Sequence, residues 1–492
     1  MTNPHHRAIR WMLFVGSVSW LVACGDSKSV VAEDHGVQGY TLNVDDSMVH
    51  VTPGGSPPAL AGTTRGSPAT WMRAEGGTVF PELADVPRIA EGPGASLAGS
   101  NWTNLGGNAQ NNGRSTATGP AGANLLWSEG RASVIAWHPF IEGNRVFVVR
   151  QGSLQPGPGD AVIVAYDLST GTELWTAAIP FQDGQWMTWI AGVSNGRVYA
   201  ARSQNDHPAP IYALSADTGA MLWSSAETSN AFAYDGVVFA DNGDLLVGAF
   251  QSLKRIHASD GTTAWTAARQ CSVSGNCGAA RLGNAVYLAE WVNEGHVIAR
   301  FDAVTGKRAY VSSVMPDASP YHTVQNSPFV GPDGSVYLSR TKSNDAVDYF
   351  FAFSDTGSAL VERWRIPAGW TTNSHYAIGP DGSVYAVDKA RQIVRLDPAT
   401  GAVRNTSTPI TDMKSLAFSP YMAMDAQGRL FVNNNTTHEQ DAEDDGTVYS
   451  FNADLTQRWS VRAYRLNQGG PAIAPDGTMV LSGVNTDLRA YR

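Results

Sequence analysis

Three acidic residues alternate along a short segment and could bind a metal ion. Asp441, Glu443 and Asp445 place oxygen atoms at positions 1, 3 and 5, and Gly446 follows at position 6. This is the spacing of a calcium-binding loop, in which the glycine permits a sharp turn. Glutamate is unusual at position 3, and position 12 is Asn452 instead of the usual glutamate. A solvated acidic hairpin loop is therefore the stronger interpretation, and calcium binding is the weaker one.

Two cysteines lie close enough in sequence to form a local disulfide. Cys271 and Cys277 flank the loop-like sequence Ser-Val-Ser-Gly-Asn. Disulfides persist in oxidising compartments, so export of the chain would favour a bridge between them. A zinc site is the weaker alternative, because two thiolates without a nearby histidine leave the metal incompletely coordinated.

The third cysteine, Cys24, ends an apolar N-terminal segment. Arg7 and Arg10 precede an apolar run over residues 11–23, which is too short to cross a bilayer as a helix and is typical of a signal peptide. Its end, Leu-Val-Ala-Cys-Gly, resembles the lipobox of bacterial lipoproteins, whose cysteine is lipidated and becomes the mature N-terminus. We therefore predict a lipoprotein signal peptide over residues 1–24 and a lipid anchor at Cys24. An ordinary signal peptide is the alternative.

Several other kinds of chemistry are not indicated. The eleven histidines are scattered without a His-Glu-x-x-His pattern, and the Cys-x-x-Cys-His signature of c-type haem is absent. No nucleophile elbow or phosphate-binding glycine loop precedes a predicted helix. The net charge of −10 argues against a nucleic-acid partner.

A repeated cassette supplies the elements that must position any site. Each copy is a strand that ends in a small-aromatic-polar triplet, followed by a tight Asp/Gly turn and often by a tryptophan. The eight copies centre on Tyr166, Leu214, His257, Phe301, Phe353, Leu396, Phe451 and Tyr491. Successive copies lie 40 to 55 residues apart, and this period with strand-type patterning predicts a β-propeller.

Each repeat unit is long enough for four strands. We predict an all-β fold, an eight-bladed β-propeller of four-stranded antiparallel blades, with seven blades as the alternative if the unit around Phe451 is misread. The last unit reaches Arg492 directly after its third strand. The segment Leu125–Glu129 resembles the fourth strand of the first unit, Glu173–Ala177. We therefore predict that this N-terminal strand closes the last blade and removes a free sheet edge.

The repeated tryptophans and glycines are predicted to be structural. Corresponding places on the outer strands and in the preceding turns are occupied by Trp127, Gly171, Trp175, Gly219, Trp223, Gly261, Trp265 and Trp459, and Tyr310 replaces a tryptophan once. A buried aromatic side chain of this size covers about 150–250 Å². A wedge between blades is therefore the stronger interpretation, and stacking on a ligand is the weaker one.

The chain divides into three segments. The signal peptide over residues 1–24 is followed by a Gly/Pro/Ser-rich stretch over residues 25–100, predicted as a disordered tether because it lacks sustained periodicity. A flexible segment of this length has a root-mean-square reach of roughly 50 Å. The propeller occupies residues 101–492.

The cassette resembles the repeat of the pyrroloquinoline-quinone (PQQ)-type propeller family, approximately Val-Tyr-Ala-Leu-Asp-x-x-Thr-Gly-x-x-x-Trp. The best copy runs from Val164 to Trp175, and the opener from Trp102 to Asn108 is similar to the start of propellers in this family. The resemblance covers residues 101–492. It implies one of two functional classes: quinoprotein dehydrogenases, which bind PQQ and calcium on the propeller axis, or non-catalytic propellers such as the lipoprotein of the outer-membrane β-barrel assembly machinery.

The second class agrees better with this sequence. The large quinoprotein alcohol dehydrogenases carry adjacent cysteines, whereas five residues separate Cys271 from Cys277. We therefore predict a lipid-anchored, non-catalytic protein-interaction scaffold in the bacterial cell envelope, at the outer membrane in preference to the inner membrane. The body is predicted to be monomeric and to bind envelope proteins through one propeller face, without a cofactor. The alternatives are a quinone-dependent oxidoreductase with PQQ and calcium, and a propeller that binds a glycan or another small ligand.

Overall fold

The structure is a computed structural model. It describes residues 30–31, 40–44, 49–53 and 101–492, apart from 135–136, 154–158, 182–184, 205–208, 230–236, 250, 271–277, 293–294, 316–326, 341–347, 369–375, 389, 411–420, 435–444, 465–468 and 484–485. Among these residues, no helix is both long and apolar enough to cross a membrane.

Three short strands lie within the segment that the sequence predicts as a tether. They are β1 (Val30–Val31), β2 (Tyr40–Val44) and β3 (Val49–Pro53), and they form an antiparallel sheet in the order β1-β2-β3. Valine, threonine and tyrosine are common in these strands, as β-propensity favours.

The described part of residues 101–492 forms eight four-stranded antiparallel sheets, which are the blades of a β-propeller. Blade 1 consists of β5 (Phe140–Glu142), β6 (Arg145–Gln151), β7 (Ala161–Asp167) and β8 (Glu173–Ala177), and blade 2 of β9 (Gln185–Ser194), β10 (Arg197–Gln204), β11 (Ala209–Ser215) and β12 (Met221–Ser229). Blade 3 consists of β13 (Val238–Phe239), β14 (Leu245–Gly248), β15 (Ser252–Ile256) and β16 (Thr263–Ala268), and blade 4 of β17 (Ala279–Leu282), β18 (Ala285–Val292), β19 (Gly295–Asp302) and β20 (Arg308–Val311). Blade 5 consists of β21 (Phe329–Val330), β22 (Ser335–Arg340), β23 (Asp348–Asp355) and β24 (Leu360–Ala368), and blade 6 of β25 (Ala377–Ile378), β26 (Val384–Val387), β27 (Ile393–Leu396) and β28 (Val403–Thr406). Blade 7 consists of β29 (Met422–Met424), β30 (Leu430–Asn433), β31 (Asp445–Phe451) and β32 (Gln457–Tyr464), and blade 8 of β33 (Ala472–Ile473), β34 (Met479–Ser482), β35 (Leu488–Tyr491) and β4 (Leu125–Glu129).

The blades form a closed ring around their first strands. First strands contact each other between blades 1 and 2, 3 and 4, 4 and 5, 6 and 7, and 8 and 1, and the last of these contacts closes the ring. The unit around Phe451 is a complete blade, so the count is eight and the seven-bladed alternative is wrong. The last sheet takes its fourth strand from the N-terminal side of the body, where Leu488 pairs with Glu129 and Tyr491 with Leu125. This is the strand that the sequence predicts in that place.

The two ends of the disc differ in their connections. At one end, which we call the turn face, tight turns join first to second strands and third to fourth strands. In the turn before β22, for example, the Gly334 N–H donates to the Gly331 carbonyl at 3.0 Å, and Gly334 has a φ of 82°. At the other end, the loop face, longer connections join one blade to the next, and the connections from second to third strands range from two residues in blade 4 to eleven in blade 7. The chain from Val311 to Phe329, for example, joins blade 4 to blade 5.

Second strands supply the repeated core of the blades. Four of them carry a Val-Tyr pair whose tyrosine is fully buried: Tyr199, Tyr287, Tyr337 and Tyr385. Third strands add a buried apolar residue just before the turn. In blade 3 this residue is Ile256, which pairs with Leu245, and the assignment of His257 as the centre of that repeat is wrong. His257 lies one residue later, beside the Asp244 carboxylate at 3.2 Å, because its polar ring suits the solvated turn.

Candidate functional site

The N-terminal segment of the body crosses the turn-face end of the ring. We call residues 101–121 the axial strap. Trp102 and Ile141 exchange two backbone hydrogen bonds, at 2.9 and 3.0 Å, which join the strap to the first strand of blade 1. Backbone N–H groups of blades 2, 4, 5, 6 and 7 then donate to successive strap carbonyls: Val193 to Thr103, Arg281 to Ala109, Val330 to Gln110, Ile378 to Asn112 and Met424 to Gly113. The strap therefore lies along the first strands of these blades at the turn face.

Buried amide side chains hold the strap in this path. The Asn108 side-chain amide donates to the Asn112 side-chain oxygen at 2.8 Å, and the Asn112 amide donates to the Val330 carbonyl at 2.9 Å. Gly113 has a φ of 65°, and a Cβ at this position would lie 2.7 Å from the Tyr376 carbonyl oxygen. Asn108 and Asn112 thus supply buried amides that hold the strap, and Gly113 lets it approach the inner strands.

A cavity lies on the loop-face side of the strap, between the inner ends of blades 1 and 2. Its described lining consists of Leu105, Trp137, His138, Phe140, Val149, Trp189 and Ile190. The His138 ring lies 6.0 Å from Trp102, 5.8 Å from Tyr421 and 6.1 Å from Phe140, the last contact being edge-on. We call this space the axial cavity. The sequence offered no signal for it, because its lining residues come from the strap, from the segment before blade 1 and from blades 1 and 2.

The axial cavity does not suit PQQ with calcium. Its described lining contains neither a carboxylate to bind calcium nor an arginine or lysine to bind the quinone carboxylates. Within the described part of the chain, no group of three or more His, Cys, Asp or Glu side chains could hold a metal ion.

The outer-strand tryptophans bridge neighbouring blades. Indole N–H groups donate to backbone carbonyls in the turn of the next blade: Trp127 to Leu168 at 2.8 Å, Trp175 to Ala216 at 3.0 Å, Trp223 to Ala258 at 3.0 Å and Trp364 to Pro398 at 2.9 Å. Each ring faces a left-handed glycine of that turn, and Gly171, Gly219 and Gly261 face Trp127, Trp175 and Trp223. Trp265 lies against Gly306 in the same manner, and Trp459 lies 5.8 Å from Phe431.

Trp364 is a member of this set that the sequence analysis missed. Phe353 pairs with Glu362 nine positions later, whereas Tyr166 pairs with Glu173 seven positions later. Because of these two extra residues in the hairpin, Trp364 follows Phe353 by eleven positions whereas Trp175 follows Tyr166 by nine. The tryptophan nevertheless reaches the turn of blade 6, where Gly401 would place a Cβ 2.7 Å from the ring. An alignment of the repeats that allows gaps in the turns would have placed Trp364 with the other outer-strand tryptophans.

Replacing Gly219 with Ala is expected to lower the free energy of unfolding by about 3 kcal/mol, because the left-handed backbone and a clash with Trp175 both oppose a side chain. Gly196 in the same blade is the matched control. Both glycines have a φ of 72°, but a Cβ at Gly219 would lie 2.6 Å from Trp175 whereas one at Gly196 would meet nothing within 4 Å. Gly196→Ala should cost about 1 kcal/mol. Urea denaturation measures both, and equal losses would refute the wedge.

The interface between blades 4 and 5 uses a polar cluster in place of the tryptophan. Tyr310 occupies the tryptophan position, and its hydroxyl donates to the Asp355 carboxylate of blade 5. Tyr287 donates to the same carboxylate at 2.7 Å, and the Arg300 Nε donates at 3.1 Å. Burial and the neighbouring Asp355 charge raise the pKa of Tyr287. The cluster therefore joins three strands of blade 4 to one buried carboxylate.

The remaining predicted site residues lie at or beyond the edges of the described chain. Cys24, Cys271, Cys277, Asp441 and Glu443 fall outside the described residues, and Asp445 is described only as the first backbone position of β31. A buried ion cluster adjoins the segment that contains Cys271 and Cys277: Glu290 contacts Arg308 at 2.5 Å and Arg269 at 3.6 Å. Because the cysteines and two of the three acidic residues are not described, the predicted disulfide and calcium loop stay predictions.

Comparison with known proteins gives a family and a fold. The family model described as outer membrane protein assembly factor BamB matches residues 159–407, which is more than half of the chain. In sequence, no curated protein matches the chain.

Among solved structures, BamB from Moraxella catarrhalis is 12% identical, with a TM-score of 0.50 over 75% of this chain and 99% of that one. The computationally designed Ika8 protein gives the same identity, coverage and TM-score. Quinohemoprotein alcohol dehydrogenase from Comamonas testosteroni is 13% identical, with a TM-score of 0.42 over 79% of this chain and 70% of that one. At such low identities the matches to BamB and to Ika8 support the fold alone.

Proposed function

Because the chain belongs to the family of the outer membrane protein assembly factor BamB, we propose that it is a non-catalytic propeller scaffold that binds other proteins of the bacterial cell envelope. The single observation that carries this proposal is the family match over residues 159–407. The lack of a fitting quinone site among the described residues of the axial cavity supports a scaffold over a dehydrogenase. No cofactor is part of the proposal.

The partner-binding surface in this proposal is the loop face. Binding residues are often carried on long connections that a rigid scaffold positions. The turn face offers mainly short turns, and the axial strap covers its centre. The loop face instead carries the longer connections, and the exposed apolar residue Val314 lies on it, directly after β20 and against Gly295.

The N-terminal segment supports an anchored form of this scaffold. Cys24 would be lipidated at the outer membrane, and residues 25–100 would connect the anchor to the body. The described start of the body is at the turn face, where the Asn101 side chain accepts a hydrogen bond from the Gly143 N–H at 3.0 Å. The chain would therefore enter on the side opposite the proposed docking surface and leave that surface free for partners. A monomeric body is part of the same proposal.

Replacing Val314 with Arg is expected to reduce the recovery of crosslinked envelope proteins at least fivefold, because a cation would enter the docking surface. Val304→Arg is the matched control. The two valines belong to the same blade and are 50% and 55% exposed, but Val304 lies in a turn at the opposite face. Mild crosslinking in cells, followed by purification and mass spectrometry, measures recovery. Equal recovery with both variants would contradict docking at the loop face, and no envelope protein with the unaltered chain would contradict the scaffold.

A further inference from the structure

Exposed apolar side chains are concentrated on the rim of three consecutive blades. Within the described part of the chain nine large apolar side chains are exposed, and the five that belong to leucine or methionine all lie on the outer strands of blades 8, 1 and 2. We call these five residues the apolar rim: Leu125 and Leu126 on β4, Leu174 on β8, and Met221 and Leu222 on β12. The other four exposed residues are valines spread over blades 4, 5 and 6.

Contacts between blades bring the residues of the apolar rim together. The Trp175 ring of blade 1 lies against Gly219 in the turn of blade 2. Leu174 directly precedes that tryptophan, and Met221 follows that glycine by two residues. The same contact joins blade 8 to blade 1. The apolar rim therefore forms a band across two blade boundaries, and apolar surface of this kind marks a binding site.

The opposite rim differs from the apolar rim at one matched position. Each outer strand has a β-bulge, and its bulged residue directly precedes the position of the wedge tryptophan. That residue is leucine in blades 8, 1 and 2 but arginine in blades 5, 6 and 7: Leu126, Leu174, Leu222, Arg363, Arg404 and Arg458. The three arginines donate hydrogen bonds to Ser335, Asp397 and the Ala121 carbonyl. Charged side chains protect exposed outer strands, and the apolar rim lacks them at this position.

The chain enters the propeller beside the apolar rim. Trp102 pairs with Ile141 of blade 1, and the Thr103 carbonyl accepts a hydrogen bond from Val193 of blade 2. The outer strand of a blade lies three strand spacings from its first strand, which is about 14 Å. The eleven residues 90–100 can span about 36–40 Å when they are extended. The sequence that precedes residue 90 is therefore within reach of the apolar rim.

That preceding sequence is apolar. Residues 79–89 contain Val79, Phe80, Leu83, Val86 and Ile89, whereas residues 90–100 contain a single large apolar residue. We propose that residues 79–89 of this chain dock on the apolar rim. Docking removes apolar side chains of both partners from water, and a segment without a core of its own can become ordered in this way. It would hold the body by its rim and leave the loop face free, so this proposal and the docking of envelope proteins at Val314 can fail separately.

The charges of the apolar rim disfavour a membrane surface as its occupant. The strands β4, β8 and β12 contain no lysine or arginine, and they contain Glu129, Glu173 and Glu227. Anionic lipid surfaces attract basic clusters, which these strands lack. A second copy of the chain is the remaining occupant that the test must distinguish.

Photocrosslinking within the purified full chain tests the docking. A benzophenone amino acid replaces either Met221 of the apolar rim or Val403 of blade 6, which has the same register position and is 55% exposed against 56%. Trypsin cuts after Arg73 and Arg88, so it releases most of the docked segment as residues 74–88. We expect at least five times more of this peptide to be crosslinked from position 221 than from position 403. Equal yields would overturn the proposal, as would crosslinks that join isotope-labelled to unlabelled chains in a mixture, because they would identify a second copy.

Protection from trypsin gives a second measurement on the native full chain. Docking should shield the bond after Arg88, so combining Leu174→Ser with Leu222→Ser should speed cleavage there at least fivefold. Combining Val361→Ser with Val403→Ser is the matched control, because these side chains have similar exposure on the opposite rim, and it should leave the rate unchanged. Equal rates in the two double variants would overturn the docking. Circular dichroism checks that both variants fold, and the crosslinking yields decide the question if one does not.

Discussion

Replacing Asp355 with Asn is expected to lower the free energy of unfolding by about 4 kcal/mol, because it leaves a buried arginine without its carboxylate. The side chains of Asp355 and Arg300 are 2% and 1% exposed. Asp355 also accepts hydrogen bonds from the hydroxyls of Tyr287 and Tyr310. At the interface between blades 4 and 5, Tyr310 replaces the wedge tryptophan of the outer strand, so this carboxylate connects the two blades where an indole connects others.

Urea denaturation followed by circular dichroism measures the change, with two variants for comparison. Asp397→Asn alters a carboxylate in the corresponding turn of blade 6, where Asp397 pairs with Arg404 at 2.6 Å on the surface, and it should have little effect. Combining Asp355→Asn with Arg300→Met removes the buried cation as well and should recover part of the loss. A loss below 1 kcal/mol for Asp355→Asn, or no recovery in the double variant, would show that the cluster does not join the blades.

The repeat architecture could be predicted from the sequence because it depends on local patterns. Tight Gly-containing turns, Val-Tyr strands and outer-strand tryptophans recur along the chain, and every blade except the last is built from consecutive strands. The closing strand was also visible, because Leu125–Glu129 shares its pattern with Glu173–Ala177. The centre of blade 3 was misplaced by one residue, since the polar His257 follows a strand whose other positions match poorly.

The features around the axis and at the blade 4–5 interface could not be predicted in the same way. Each depends on residues far apart in sequence that have no fixed spacing. Asp355 of blade 5 accepts a hydrogen bond from Tyr310 of blade 4, and Trp189 of blade 2 and Leu105 of the strap line the same cavity. The strap opener was recognised as a family feature, but its path beneath five further blades follows from hydrogen bonds to the inner strands. Local sequence patterns thus predict the blades, whereas the axial cavity and the Asp355 cluster depend on contacts between residues that are far apart in sequence.

Raising the pH from 10 to 11 is expected to lower the free energy of unfolding by about 4 kcal/mol, because four buried tyrosines resist ionisation only in the folded state. Burial raises the pKa of Tyr199, Tyr287 and Tyr337, and it raises the pKa of Tyr385 to about 12. In the unfolded chain these groups titrate near their ordinary value of about 10. Their contribution to stability is therefore fully present below pH 10 and is lost as the pH rises towards the folded pKa values, at about 1.4 kcal/mol per pH unit for each group.

Urea denaturation at half-unit steps from pH 8 to 11 measures this slope, and absorbance at the phenolate band reports ionisation directly. The double variant Tyr199→Phe, Tyr337→Phe is the matched control, since neither hydroxyl has an acceptor within the described structure. Removing those hydroxyls should barely change stability at pH 7 but should reduce the alkaline slope by about half. The same substitutions at Tyr287 and Tyr385 should also cost stability at pH 7, because their hydroxyls donate to Asp355 and to the Ala453 carbonyl. An unchanged slope in the double variant would mean that other groups control the alkaline transition.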